Sequence, residues 1–123
     1  MHRCGMFIGS HGYDHFWLNT LNRGKQESEI DRSLAFLSNI GISRQNWVMC
    51  YPYGAYNDSL MSVLKTKGCR IGLATEVAIA DLNTDLLLAL PRLDTNDLPK
   101  TGSAMLNEWT MQVINGAPVE SFE

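Results

Sequence analysis

The sequence predicts an α/β fold with mainly parallel strands. Two observations carry this. Short apolar runs recur at Met6-Phe7-Ile8, Trp47-Val48-Met49-Cys50-Tyr51, Cys69-Arg70-Ile71-Gly72-Leu73-Ala74 and Leu86–Leu90. The first three are separated by segments whose apolar residues repeat at helical spacing, the pattern of βαβ units.

The elements follow in order. Met6–Ser10 reads as a first strand, buried and ended by Gly9-Ser10. Asn22-Arg23-Gly24 is a break, and a helix is expected from about Gln26 to Asn39, with Ile30, Leu34, Leu37 and Ile40 on one face. Ser28 with Asp31 gives a capping-box-like signal near its start, and Gly41 ends it. Trp47–Tyr51 is the second strand and Pro52–Asn57 a turn. Asn57 or Asp58 can cap a helix that runs to Lys67, with Leu60, Val63 and Leu64 inward and Gly68 after its end. Cys69–Ala74 is the third strand. Leu86–Leu90, continuing past Pro91 toward Leu93, is a fourth, and a last helix is expected over Ala104–Ile114. Four strands are few for a closed barrel, so an open edge is expected to pair with something else, such as a second copy in a homo-oligomer.

Composition bounds the function. With 123 residues the chain is one domain, 1–123, large enough to bury a core. Hydrophobic content of 45% and charged content of 19% are ordinary globular values. A net charge of −3 with no basic cluster argues against nucleic acid as a partner. No apolar stretch is long enough to span a bilayer. Met1-His2-Arg3-Cys4 opens no continuous apolar run of the signal-peptide kind, so the cytoplasm is the expected location of this chain. Cys4, Cys50 and Cys69 are odd in number and form no Cys-x-x-Cys pair, which fits small buried hydrophobes rather than a disulfide framework. Cys4 could in principle ligate a metal, though buried packing is the simpler role.

Chemistry concentrates in Gly9-Ser10-His11-Gly12-Tyr13-Asp14-His15, which holds two of the chain's three histidines. On a helical turn, residues four apart share a face with Cβ atoms about 5–6 Å apart. Imidazole nitrogens suit Zn, Co, Ni and Fe. A catalytic zinc typically takes three protein ligands and leaves one position open. The pair supplies two of the three. The competing interpretation is two polar residues on a solvated turn.

Three segments stand in order at intervals of about 40 residues: the histidine segment, Tyr51-Pro52-Tyr53-Gly54-Ala55-Tyr56-Asn57, and Leu90-Pro91-Arg92-Leu93-Asp94. Together they resemble the polysaccharide deacetylases, the family 4 carbohydrate esterases, over roughly Gly5 to Asp97. The resemblance implies a partial (β/α) barrel of the deacetylase type and metal-dependent removal of acetyl groups from N-acetylated glycans. The family's histidine motif reads His-Ser/Thr-x-x-His. His11 and His15 match it as metal ligands, with Gly12 in place of the hydroxyl residue. A second family motif reads Arg-x-Pro-Tyr. Cys50 replaces its arginine, while Pro52 and Tyr53 match. The resemblance makes the Tyr53 amide an oxyanion-hole donor and Tyr51, Pro52 and Tyr53 substrate-binding residues. Without it, Tyr53 is an aromatic residue on a Pro-Gly turn. Arg92 resembles the arginine that some branches use to orient the catalytic carboxylate; otherwise it is a surface residue paired with Asp94 or Asp97.

Two family elements have no match here. Ten residues precede His11, none acidic, so nothing corresponds to the family's Thr-Phe-Asp-Asp strand with its base and ligand aspartates. No histidine follows His15, so nothing corresponds to the Leu-x-x-His acid. The expectation is a piece of a deacetylase, truncated at its N-terminus, with a weakly held divalent metal (zinc first, then Co, Ni or Fe) and little activity alone. The alternative is a non-catalytic glycan-binding or structural remnant that associates with a partner chain.

Overall fold

A computed structural model describes residues 1–116. Its elements are helix α1 (Arg23–Asn39), strand β1 (Trp47–Cys50), helix α2 (Asp58–Thr66), strand β2 (Cys69–Leu73) and helix α3 (Glu108–Gly116), joined by short 3-10 turns. β1 and β2 pair in parallel, with Val48 opposite Ile71 and Cys50 opposite Leu73. Single parallel bridges extend this sheet at both edges, Ser10 to Met49 and Leu73 to Leu90. Four chain passes therefore lie side by side in sequence order, an arc of an α/β fold but not a closed barrel.

The core forms because three elements place apolar residues on one side. α1 contributes Ile30, Leu34 and Leu37, and α2 contributes Leu60, Val63 and Leu64. These meet Trp47 and Met49, which alternate inward along β1. Each such side chain contributes about 1.5–3 kcal/mol on full burial. Truncating Leu64, which is fully buried, would cost about 2–5 kcal/mol.

The helix termini follow side-chain chemistry. The Asn22 side chain accepts from the Lys25 amide at 2.9 Å, so α1 starts at Arg23 rather than near Gln26. The apparent break at Asn22-Arg23-Gly24 is this cap, and the Ser28–Asp31 pair lies inside the helix. Gln26 is fully buried. It donates to the Leu18 carbonyl and accepts from Ser59, which offsets the cost of burying an amide. Asn57 caps α2 through the Leu60 amide. Gly41 and Gly68 end the two helices with φ of 93° and 81°, while Ile40, at the α1 cap, is 40% exposed rather than core.

Three predicted elements differ. Met6–Ser10 is not a buried strand. The chain entering it bonds locally, with Gly5 donating to the His2 carbonyl and Met6 to that of Met1, and Met6 and Phe7 are exposed. Only Ser10 reaches β1, donating to the Val48 carbonyl and accepting from the Cys50 amide. Leu86–Leu93 is a 3-10 turn (Leu87–Ala89) followed by the bridge at Leu90, because the Leu88 carbonyl turns inward to the Tyr51 hydroxyl. Gly72 permits that approach, since a Cβ there would lie 2.3 Å from the Leu88 oxygen. The last helix begins at Glu108, where Asn107 accepts from Thr110, and buries no residue. No described helix is long and apolar enough to cross a membrane.

Candidate functional site

His11 and His15 come together, though not on a helical turn. Gly12 takes φ of 76° and His15 takes φ of 57°, so the chain folds back on itself between the imidazoles. The rings meet edge to face with centroids 4.7 Å apart. His11 Nδ1 lies 2.7 Å from the Cys50 carbonyl, at the end of β1. A carbonyl can only accept, so Nδ1 is the donor and Nε2 is the nitrogen left to face a metal. Orientation of a histidine by a backbone carbonyl in this way is typical of metal-ligating imidazoles. Cys50 thus contributes through its backbone; its side chain and those of Cys4 and Cys69 are free thiols. Among the described residues no group of three His, Cys, Asp or Glu side chains is placed to hold an ion. The donors present fit two positions of a metal shell.

Tyr53 stands beside the pair. Its ring meets His15 edge to face at 4.8 Å and stacks on Trp17 at 4.3 Å, with planes 4° apart. Both aromatics are about half exposed. The turn Pro52–Gly54 is closed by the Gly54 and Ala55 amides, which donate to Tyr51 and Pro52. The Tyr53 amide takes no part in that closure. Tyr53 has φ of 59° and Gly54 has φ of 68°, two successive left-handed residues. Glycine is required at the second, since a Cβ would meet Thr75 Oγ1 at 2.1 Å.

Two of the expected substrate-binding residues are placed elsewhere. Tyr51 is 1% exposed, and its hydroxyl donates to the Leu88 carbonyl at 2.5 Å. Burial pushes this phenol well above its ordinary pKa. Pro52 is likewise buried. Neither side chain presents a surface to a sugar; both shape the turn that presents Tyr53. Arg92 forms neither expected carboxylate pair. Its Nε donates to the Ala74 carbonyl at 2.8 Å, while Asp94 and Asp97 cap each other across Thr95–Asp97. Arg92 and His11 line one open groove of about 450 Å³, with Ser10 and Cys50 between them.

Sequence reasoning missed a set of residues on α1. Glu29 accepts from the amides of Tyr13 and Asp14 at 3.1 and 2.9 Å. Arg32 pairs with Asp14 at 3.0 Å and covers the Tyr13 ring at 3.8 Å. Ser33 bonds Ser10 at 2.7 Å. The available signal was polar residues recurring on the buried face of α1: Gln26, Glu29 and Ser33 among Ile30, Leu34 and Leu37.

The profile of the polysaccharide deacetylase family matches residues 1–72, more than half of the chain, and spans the histidine loop and the Tyr53 turn. The chain belongs to this family. The sequence is 32% identical over 80 residues to YxkH of Bacillus subtilis (strain 168), named as a polysaccharide deacetylase. That alignment covers 65% of the chain and 28% of YxkH. The fold is similar to the Streptococcus pyogenes deacetylase PplD in complex with acetate, with a TM-score of 0.63 and 24% identity over 72% of this chain and 39% of PplD. It is also similar to a family 4 carbohydrate esterase from Streptomyces lividans in complex with acetate. Here the TM-score is 0.52, with 30% identity over 65% of this chain and 38% of the esterase. The chain thus spans less than a third of YxkH and about two-fifths of each structural neighbour.

Proposed function

We propose that this chain carries part of the groove of a metal-dependent hydrolase that removes acetyl groups from N-acetylated sugars of a polysaccharide. The observation that carries the reading is the imidazole pair, with His11 Nδ1 anchored on the Cys50 carbonyl and Nε2 left free. His11 and His15 would hold a divalent cation, zinc first, with Co, Ni or Fe as alternatives. Held by two imidazoles it would exchange readily. When bound, such a cation polarises an acetyl carbonyl and lowers the pKa of a water.

The chain's own groups supply positioning and charge. The Tyr53 amide, outside the bonds that close its turn, is available to donate to the acetyl oxygen as negative charge develops there. The half-exposed Trp17–Tyr53 stack offers an apolar wall to a sugar ring. Arg92, which lines the same groove as His11, adds a fixed positive charge. The acetate held by both structural neighbours accords with a site that releases that product.

Acetate release from N-acetylated chitooligosaccharides in the presence of Zn2+ tests the reading. Slow release that disappears in His11→Ala is expected. Release that persists in His11→Ala would overturn it. The exposed stack also favours a second reading, a glycan-binding module, and glycan retention without any acetate release would select that one.

A further inference from the structure

Between the two histidines the chain reverses through Gly12, Tyr13 and Asp14, with left-handed residues at Gly12 and His15. Such a loop does not hold its shape unaided. What grips it is one face of α1. Glu29 is 5% exposed, and a single carboxylate oxygen accepts from two successive amides, those of Tyr13 and Asp14. Hydrogen bonds to an ionised acceptor are roughly twice as strong as neutral ones. Three residues on, Arg32 bonds the Asp14 carboxylate and lies over the Tyr13 ring. One residue further, Ser33 bonds Ser10, whose hydroxyl also accepts from the Gly12 amide at 3.4 Å. Gly12 suits the loop through its φ of 76° rather than through space, since a Cβ there would make only ordinary contact with Glu29 Oε2 at 3.8 Å.

The three grips differ in weight. The Arg32–Asp14 pair is about half exposed on both sides, so it contributes little. The Ser33 contact holds the start of the loop. Glu29 is the buried grip on its middle, and the only one of the three that bonds the backbone amides between the histidines. We propose that Glu29 is a positioning residue that sets the separation and orientation of the His11 and His15 imidazoles by clamping the amides between them. The inference rests on the metal-binding reading of the pair only for its consequence; the clamp itself is a statement about the loop.

Two measurements separate the clamp from its consequence. In metal-free protein, the ring protons of His11 and His15 are within range of a nuclear Overhauser contact, given centroids 4.7 Å apart. Glu29→Ala is expected to abolish that contact and to strip exchange protection from the Tyr13 and Asp14 amides. Glu29→Gln, which keeps an oxygen of the same reach, is expected to restore both. Leu34→Ala, a core truncation five residues along the same helix, is expected to lower thermal stability and leave the contact intact. If Glu29→Ala does not fold, Glu29→Asp serves in its place, because one methylene fewer withdraws the carboxylate from both amides.

In the second measurement, Zn2+ titration, Glu29→Ala is expected to lose about tenfold or more in affinity, the usual effect of removing a group that orients metal ligands, with Leu34→Ala unchanged. Retention of the ring contact in Glu29→Ala or Glu29→Asp, or its equal loss in Leu34→Ala, would overturn the inference. A wild-type protein that binds no Zn2+ while Glu29→Ala still loses the ring contact would refute the metal reading and leave the clamp standing.

Discussion

Replacing Tyr51 by Phe removes one buried hydroxyl and nothing else. That hydroxyl donates to the Leu88 carbonyl at 2.5 Å and ties the end of β1 to the 3-10 turn of Leu87–Ala89. Gly72 packs closely against the bond, since a Cβ there would lie 2.6 Å from the hydroxyl. The Leu88 carbonyl would therefore be left buried without this partner, at a cost of about 1–3 kcal/mol. At roughly 4 °C per kcal/mol for a chain of this size, the melting temperature should fall by about 4–12 °C. The pH dependence carries a second signature. Burial raises the folded-state pKa of the phenol above its ordinary value of 10.0. The unfolded chain therefore loses this proton first as pH rises, so stability is level below about pH 10 and falls above it. Tyr51→Phe should remove that part of the alkaline fall. Thermal unfolding followed by circular dichroism across pH 7–11, with glycan binding measured alongside, checks both points. Unchanged stability together with lost affinity for N-acetylated chitooligosaccharides would refute the assignment of Tyr51 to the core and return it to the substrate groove.

Other substitutions test neighbouring parts of the account. Gly54→Ala should destabilise the fold by about 1–3 kcal/mol, because it strains a left-handed residue and drives a Cβ into Thr75; Thr75→Ala should recover part of the loss in a double-mutant melting series. Cys69, whose thiol burial pushes up from 9.0 to about 11, should add its own decline in stability between those pH values, and Cys69→Ala should flatten it in the same melts. Tyr53→Phe should leave acetate release unchanged, since the proposed role uses the amide; a loss of a hundredfold or more would assign the chemistry to the phenol instead.

The sequence was most legible where local chemistry and packing agree. The α2 helix, its Asn57 cap and its inward Leu60, Val63 and Leu64 all stand as read. β1 and β2 follow their apolar runs to within a residue. The edges were less legible, because a strand is defined by what pairs with it. Met6-Phe7-Ile8 has strand composition, yet only Ser10 finds a partner. Leu86–Leu90 was diverted by a side chain 37 residues away, an interaction that no local pattern reveals. At the candidate site, spacing located His11 and His15 but implied a helical turn, whereas two left-handed residues and a carboxylate from α1 bring the rings together. Nearby acids suggest an ion pair for Arg92, which instead donates to the backbone of Ala74.

The central claim is that His11 and His15 form one metal-binding unit. Calorimetric titration of the 123-residue protein with Zn2+ or Ni2+ tests it most directly, comparing wild type with His11→Ala and His15→Ala. The account predicts weak, readily reversed binding that either substitution abolishes. Binding that survives both substitutions would contradict it.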